Sequence, residues 1–193
     1  MRADMRKLKL QMQITVDGFV AGPEGQLDWM APHDTDDELN AFIVHLADTS
    51  DTILLGRKMT EGFVRYWESV LTRPESPEYI FARRMVDTPK VVFSRTVDHV
   101  EGKNVRVENR DLSEAVNDMK RQTGKDLLVY GGASFVASLI EAGLIDDLHF
   151  FVNPVALGDG LRVFRSRTAL QPTATVAYPS GVVVHSYVPE AGA

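Results

Sequence analysis

Three short segments of this chain join glycine to a cation or to hydroxyls in a way that suits phosphate. They are Gly56-Arg57, Ser94-Arg95-Thr96 and Gly131-Gly132-Ala133-Ser134. Each closes a short apolar run: Ile53-Leu54-Leu55, Val91-Val92-Phe93 and Leu128-Val129-Tyr130. In open α/β sheets, ligands lie in the crevice outside the carboxyl ends of the strands. Adjacent glycines let the backbone approach another molecule, and a helix beginning after them offers free N–H groups to an anion such as a pyrophosphate. The guanidinium of Arg57 can pair with phosphate through two hydrogen bonds. Ser94, Arg95 and Thr96 set two hydroxyls around one cation, a grouping suited to a phosphate monoester such as the 2′-phosphate of NADPH. Taken singly, the glycines are equally a tight strand-to-helix turn, and each arginine a solvated surface residue. Three such ends on one sheet point together to a dinucleotide. Neither a G-x-G-x-x-G fingerprint nor a Walker sequence is present.

A reduction also needs a proton, and the acidic candidates flank the loop before the first long helix. Asp28 beside Trp29 is the preferred catalytic carboxyl, with Trp29 able to stack on a planar substrate. Asp36 and Asp37 fit better as first-turn acids that complement a helix dipole. Asp17, just before Gly18, suits a turn. Ser134 has no G-x-S-x-G setting, which argues against a serine hydrolase.

The composition excludes several other chemistries. With no Cys, disulfides, thiolate nucleophiles and Cys-based zinc sites are ruled out. The five His never fall at the i, i+4 spacing of a helical metal pair, so no metal site is expected. A formal net charge of -6 without a basic cluster disfavours nucleic acid and anionic membranes as partners. The first ten residues are charged and carry no signal-peptide core, and no run is long enough to span a bilayer, which together suggest a cytoplasmic protein.

The elements that must position these residues alternate. Leu8, Leu10, Met12, Ile14 and Val16 alternate with polar residues, which predicts a strand with one buried face. Thr35 and Glu38 form a capping box ahead of a helical stripe of Leu39, Phe42, Ile43 and Leu46. Strands are expected at 52–55, 90–93, 105–107, 127–130 and 148–152, and helices at 60–67, 78–85, 111–123 and from 133 to about 143. Two late β runs, 173–178 and 182–188, flank the turn Pro179-Ser180-Gly181. This order predicts an α/β fold over residues 1–193 as one domain. A mainly parallel central sheet would carry flanking helices and an antiparallel C-terminal edge.

The succession of motifs resembles the dihydrofolate reductase superfamily, specifically the reductase domain of the riboflavin-biosynthesis bifunctional deaminase–reductase. The matching segments run from Ile14-Thr15-Val16-Asp17-Gly18-Phe19-Val20-Ala21 through the three phosphate-suited ends to Gly143-Leu144-Ile145-Asp146-Asp147-Leu148 and Pro154-Val155-Ala156-Leu157-Gly158-Asp159-Gly160. The resemblance implies an NADPH-dependent reductase acting on a pteridine- or aminopyrimidine-like heterocycle, similar to 5-amino-6-(5-phosphoribosylamino)uracil reductase. It implies that Val20 and Ala21 line the nicotinamide side and that Gly56 and Arg57 hold cofactor phosphates. Ser94, Arg95 and Thr96 would face the 2′-phosphate, and Gly131, Gly132, Ala133 and Ser134 would wrap the pyrophosphate. The chain departs from many relatives at Met59, where they carry Thr; Thr60 is the candidate to take over that role. Relatives of this branch are commonly homodimers, and the 182–188 edge is a candidate interface. A non-catalytic NADP-binding or ligand-sensing module is the alternative.

Overall fold

The alternating apolar residues of the first segment do form a strand, β1 (Leu8–Thr15), and the short apolar runs form the other strands. The computed structural model describes residues 5–30 and 36–190. After β1 come α1 (Asp37–Asp48), β2 (Ser50–Gly56), α2 (Arg57–Val70), α3 (Tyr79–Asp87), β3 (Lys90–Phe93) and β4 (Val105–Glu108). Then follow α4 (Leu112–Arg121), β5 (Asp126–Gly131), α5 (Ala133–Glu141), β6 (Asp147–Asn153), β7 (Leu170–Ala177) and β8 (Val183–Pro189).

All the strands join one eight-stranded sheet in the order β4-β3-β2-β5-β1-β6-β8-β7. Strands β1 to β6 run parallel, and β8 and β7 add an antiparallel end. The mixed sheet is the one expected from the element order. The expected interface strand is not at its edge, however. Residues 182–188 fall largely in β8, which is paired on both sides, by β6 and by β7. The chain lays down the outer strand first and returns inside it, so the exposed edge is β7.

Helices cover both faces. The apolar side of β1 (Leu8, Leu10, Met12, Ile14) packs with Val116 and Met119 of α4 and Val136 and Leu139 of α5. On the other face, α1 packs Leu39 and Leu46 onto Leu128, Phe151 and Val184. Beside it, α2 and α3 pack Phe63, Trp67 and Met85 onto Ile53, Leu55 and Val92. Strands β2 and β5 feed apolar residues to both sides, as strands buried in a parallel sheet do.

Strand β1 breaks that rule. It is an interior strand, so the expectation of a single buried face needs correcting. Its second face carries Lys9, Gln11, Gln13 and Thr15, yet Gln11 and Thr15 are buried. Lys9 is paired with Asp126 at 2.7 Å, and Gln13 accepts a hydrogen bond from Asn153.

The start of α1 also differs from expectation. Thr35 lies outside the described residues, and the cap is Asp36, whose Oδ1 accepts from the Leu39 N–H at 3.0 Å. Its Oδ2 accepts from the Ser180 N–H at 2.8 Å, tying α1 to the β7–β8 turn. Asp36 therefore serves structure, as its place in a first turn suggested. Removing both bonds in Asp36→Ala should cost about 1–2 kcal/mol, the usual worth of a cap. Urea unfolding of the two proteins checks this, with an unchanged midpoint as the contrary result.

Candidate functional site

Four helices, α1, α2, α4 and α5, begin at the carboxyl end of the parallel strands, because each follows one strand and leads back to the start of the next. Two of these starts are already occupied. Asp36 caps α1, and Asp111 caps α4 by accepting from the N–H groups of Ser113 and Glu114. The other two are open. Gly56 before α2 and Gly132 before α5 provide no side-chain cap, and neither helix has an acid in its first turn. These open starts sit on neighbouring strands, since Leu55 of β2 pairs with Gly131 of β5. A helix start with unsatisfied N–H groups attracts an anion, and two side by side reinforce each other.

Glycine is required at both turns. Gly131 has φ +149°, and a Cβ on Gly56 would lie 2.6 Å from the Cβ of Phe135 in α5. That close approach draws the start of α5 against the end of β2. Arg57 and Lys58 are exposed at the head of α2 and form no ion pair among the described residues. The N–H of Gly132 donates to the thioether of Met59 at 2.8 Å.

On the other side of β2, β3 ends in the Ser94-Arg95-Thr96 turn. Buried Ser94 accepts through Oγ from the N–H groups of Thr96 and Val97, both at 3.1 Å, and so shapes the turn. Arg95 and Thr96 project outward, and Arg95 has no ion-pair partner among the described residues. The acid on the adjoining strand is already engaged. Glu108 at the end of β4 accepts two hydrogen bonds from the Arg110 guanidinium, at 3.0 and 2.9 Å. Those bonds hold its carboxyl well below the usual range, at about 2. The Glu108 carbonyl in turn accepts from the Ser94 N–H.

Beyond β5, the chain leaves β1 through a loop built on Asp17. Its carboxylate accepts from the Thr15 hydroxyl at 2.5 Å and the Gly158 N–H at 2.7 Å, and the first of these lowers its pKa most. Asp17 is a turn former. Val20 and Ala21 are buried and pair with Leu161 as an isolated antiparallel bridge. The rim thus presents, in order, the Arg95 turn, the Arg57 helix start, the double glycine and the Val20-Ala21 loop. At the usual interstrand spacing, β3 to β1 is about 14 Å.

Three expected site residues are placed less favourably. Thr60 is fully buried, and its hydroxyl donates to the Gly56 carbonyl at 3.0 Å, so it cannot offer a phosphate the hydroxyl that Met59 lacks. Asp28 is exposed, with no hydrogen-bond partner among the described residues. Trp29 donates its indole N–H to the Gln26 carbonyl of its own loop. Neither Asp28 nor Trp29 touches a rim residue by a hydrogen bond or ring contact among the described residues. Ser134 is exposed and Ala133 half-buried at the head of α5.

A polar group below the rim was not anticipated from the sequence. The cores under α1 and under α2–α3 meet at β5, where Tyr130 packs into both. Gln11 of β1 pairs with His149 of β6, and Tyr130 of β5 follows the last β1–β5 pair, Leu10 with Val129, at an irregularity in the β2–β5 register. Among the described residues, the Gln11 Oε1, the Tyr130 hydroxyl and the Ser180 hydroxyl are buried without a hydrogen-bond partner. Burial pushes the Tyr130 phenol well above its ordinary pKa, and pushes that of His149 down. His149 bonds Ser186 at 2.8 Å and meets the edge of Phe42. Buried polar atoms are nearly always satisfied, so these exceptions call for an explanation. Glutamines on the second face of an interior strand were the available signal.

The model of the RibD C-terminal domain matches residues 6–184. The chain belongs to that family. A Bacillus subtilis (strain 168) member, the uncharacterized protein YyaP, is 33% identical over 183 residues, covering 92% of each chain. A solved structure of a putative riboflavin biosynthesis protein from Shewanella sp. PV-4 has TM-score 0.72 and 20% identity, covering 96% of this chain and 99% of its own. The Thermotoga maritima diaminohydroxyphosphoribosylaminopyrimidine deaminase/5-amino-6-(5-phosphoribosylamino)uracil reductase has TM-score 0.67 and 14% identity. Its match covers 96% of this RibD C-terminal domain protein but 57% of the Thermotoga chain. Dihydrofolate reductase from Enterococcus faecalis, complexed with NADP(H), has TM-score 0.56 and 19% identity, covering 95% and 96% of the two chains. The fold is that of dihydrofolate reductase.

The Glu108–Arg110 pair gives this RibD C-terminal domain protein a defined acid response. Its folded pKa of about 2 lies below the reference 4.5, so the stabilisation is complete above pH 4.5 and is lost as the pH falls towards 2. Arg110 is half exposed, which limits the effect to about 1–2 kcal/mol. Glu108→Gln should therefore be less stable than wild type at pH 7 and nearly equal to it at pH 2, by urea unfolding. A constant gap across that range would contradict the assignment.

Proposed function

We propose that the protein is an NADPH-dependent reductase of a planar heterocycle. The observation that carries this reading is the pair of glycine-preceded helix starts on adjacent strands, with no acid in either first turn, flanked by Arg57 and Arg95, which form no ion pair among the described residues. Neutral, capped turns would need no such cations. The chain's own residues fit the cofactor: Gly131, Gly132, Ala133 and Ser134 wrap the pyrophosphate, and Gly56 and Arg57 hold a neighbouring phosphate. Ser94, Arg95 and Thr96 receive the 2′-phosphate, while Val20 and Ala21 wall the nicotinamide. Family membership and the named activity of the Thermotoga neighbour support reduction, and the Enterococcus complex supports NADP(H).

When bound, reduced nicotinamide supplies a hydride. The protein has to orient the acceptor against it and keep water out. Tyr130 immediately precedes the double glycine, Gln11 lies on β1, the strand next to β5, and we assign both to the acceptor. The amide oxygen of Gln11 accepts from a ring N–H, and the protonated Tyr130 donates to a ring carbonyl or nitrogen. A pteridine or aminopyrimidine carries both groups. The exposed position of Asp28 favours a second reading, a non-catalytic NADP-binding or ligand-sensing module. NADPH binding without oxidation across dihydropterin, pyrimidinone and imine substrates would select it.

Arg95→Ala should lower NADPH affinity about tenfold or more while leaving NADH affinity within twofold, because a charge-assisted bond is worth roughly 1.5–3 kcal/mol. A fluorescence titration with both cofactors decides it, and equal losses would remove the 2′-phosphate assignment. Tyr130→Phe should raise KM for an accepted heterocycle about fivefold or more at unchanged NADPH affinity, since the variant cannot donate that hydrogen bond. An unchanged KM would remove Tyr130 from the site.

A further inference from the structure

The bond between Met59 and Gly132 joins the two open helix starts. Met59 is the third residue of α2, and its unbranched side chain crosses to the neighbouring strand end. There its sulfur accepts the N–H of Gly132, the residue just before α5, and lies 3.3 Å from where a Cβ on Gly131 would stand. The side chain is half-buried, packed from below with the Ile53, Leu55 and Met85 core. Its upper end therefore meets the double glycine at the rim, where a dinucleotide phosphate is placed above. Thioether sulfur is a weak acceptor and a phosphate oxygen a strong one. A bond to sulfur that satisfies the N–H in the free protein is thus readily exchanged for one to phosphate.

We propose that Met59 is a built-in occupant of the phosphate cradle, capping the Gly132 N–H until a dinucleotide displaces it and so setting the affinity of the site. The proposal rests on the cofactor reading above and adds a competitor within the chain. Thr60 cannot compensate, since its hydroxyl is turned inward to the Gly56 carbonyl. Affinity at this position is consequently set by how easily one flexible side chain moves.

The test compares wild type with Met59→Leu, which keeps volume and apolarity but removes the acceptor. NADPH is titrated by fluorescence, and protein carrying ¹³C-methyl methionine is followed by NMR, with the Leu variant identifying the Met59 signal. Met59→Leu should bind NADPH about three- to tenfold more tightly, the equivalent of one modest hydrogen bond that no longer has to be broken. The Met59 methyl signal should also shift on saturation with NADPH. Binding in the variant alone would likewise support the proposal, as the extreme case of the same competition. Equal or weaker binding by the variant, or a Met59 signal that NADPH leaves in place, would overturn it while the cofactor reading stands. If neither protein binds NADPH, the cofactor reading fails and the proposal falls with it.

Discussion

The first N–H groups of an α-helix have no partner inside the helix, and a folded chain has to find one for them or leave them to a ligand. This chain treats the four helices that start at one end of its sheet in two ways. Aspartates close α1 and α4, whereas glycines precede α2 and α5 and leave their dipoles uncompensated. Every other feature of the rim is arranged around that difference. The open starts are neighbours because β2 and β5 pair directly, and Gly56 lets Phe135 bring α5 close. Glu108, paired with Phe93 across the last two parallel strands, is committed to Arg110 and leaves Arg95 uncompensated.

The same end of the sheet carries a second departure from ordinary packing. An interior parallel strand is normally apolar on both sides, because helices cover both. Half of β1 instead bears polar side chains, on the face that α1 helps to cover. Some are satisfied within the protein, Lys9 by Asp126 and Gln13 by Asn153. Gln11 and Tyr130 are not. Their desolvation is a cost to folding that apolar residues would avoid. The acceptor role proposed for them would account for that cost.

The relation to the RibD C-terminal domain family fits these features without supplying the substrate. The Thermotoga neighbour joins its reductase unit to a deaminase, and the match spans little more than half of that chain. The proposed phosphate end is built largely from backbone and glycine, and the proposed acceptor end from side chains, so a change of Gln11 or Tyr130 would alter what the latter could bind. Met59 belongs to the phosphate end yet acts through its side chain, which makes it a point where this chain can differ in cofactor affinity at little cost to its fold.

The sequence by itself determined the strand and helix order and the three phosphate-suited turns, because apolar periodicity and glycine act locally. It marked the start of α4 at Asp111, but it set the cap of α1 at Thr35, where the structure has Asp36 as the cap. It could not decide which of two late strands formed the edge, because that depends on the return path of the hairpin. Nor could it show that Thr60 faces inward or that the indole of Trp29 bonds its own loop. The alternation in residues 8–16 read as one buried face, and only assembly of the sheet put a helix over the other. Long-range pairing set the neighbours of each residue. Burial in the assembled sheet therefore left Gln11 and Tyr130, unremarkable strand positions in the sequence, without hydrogen-bond partners among the described residues.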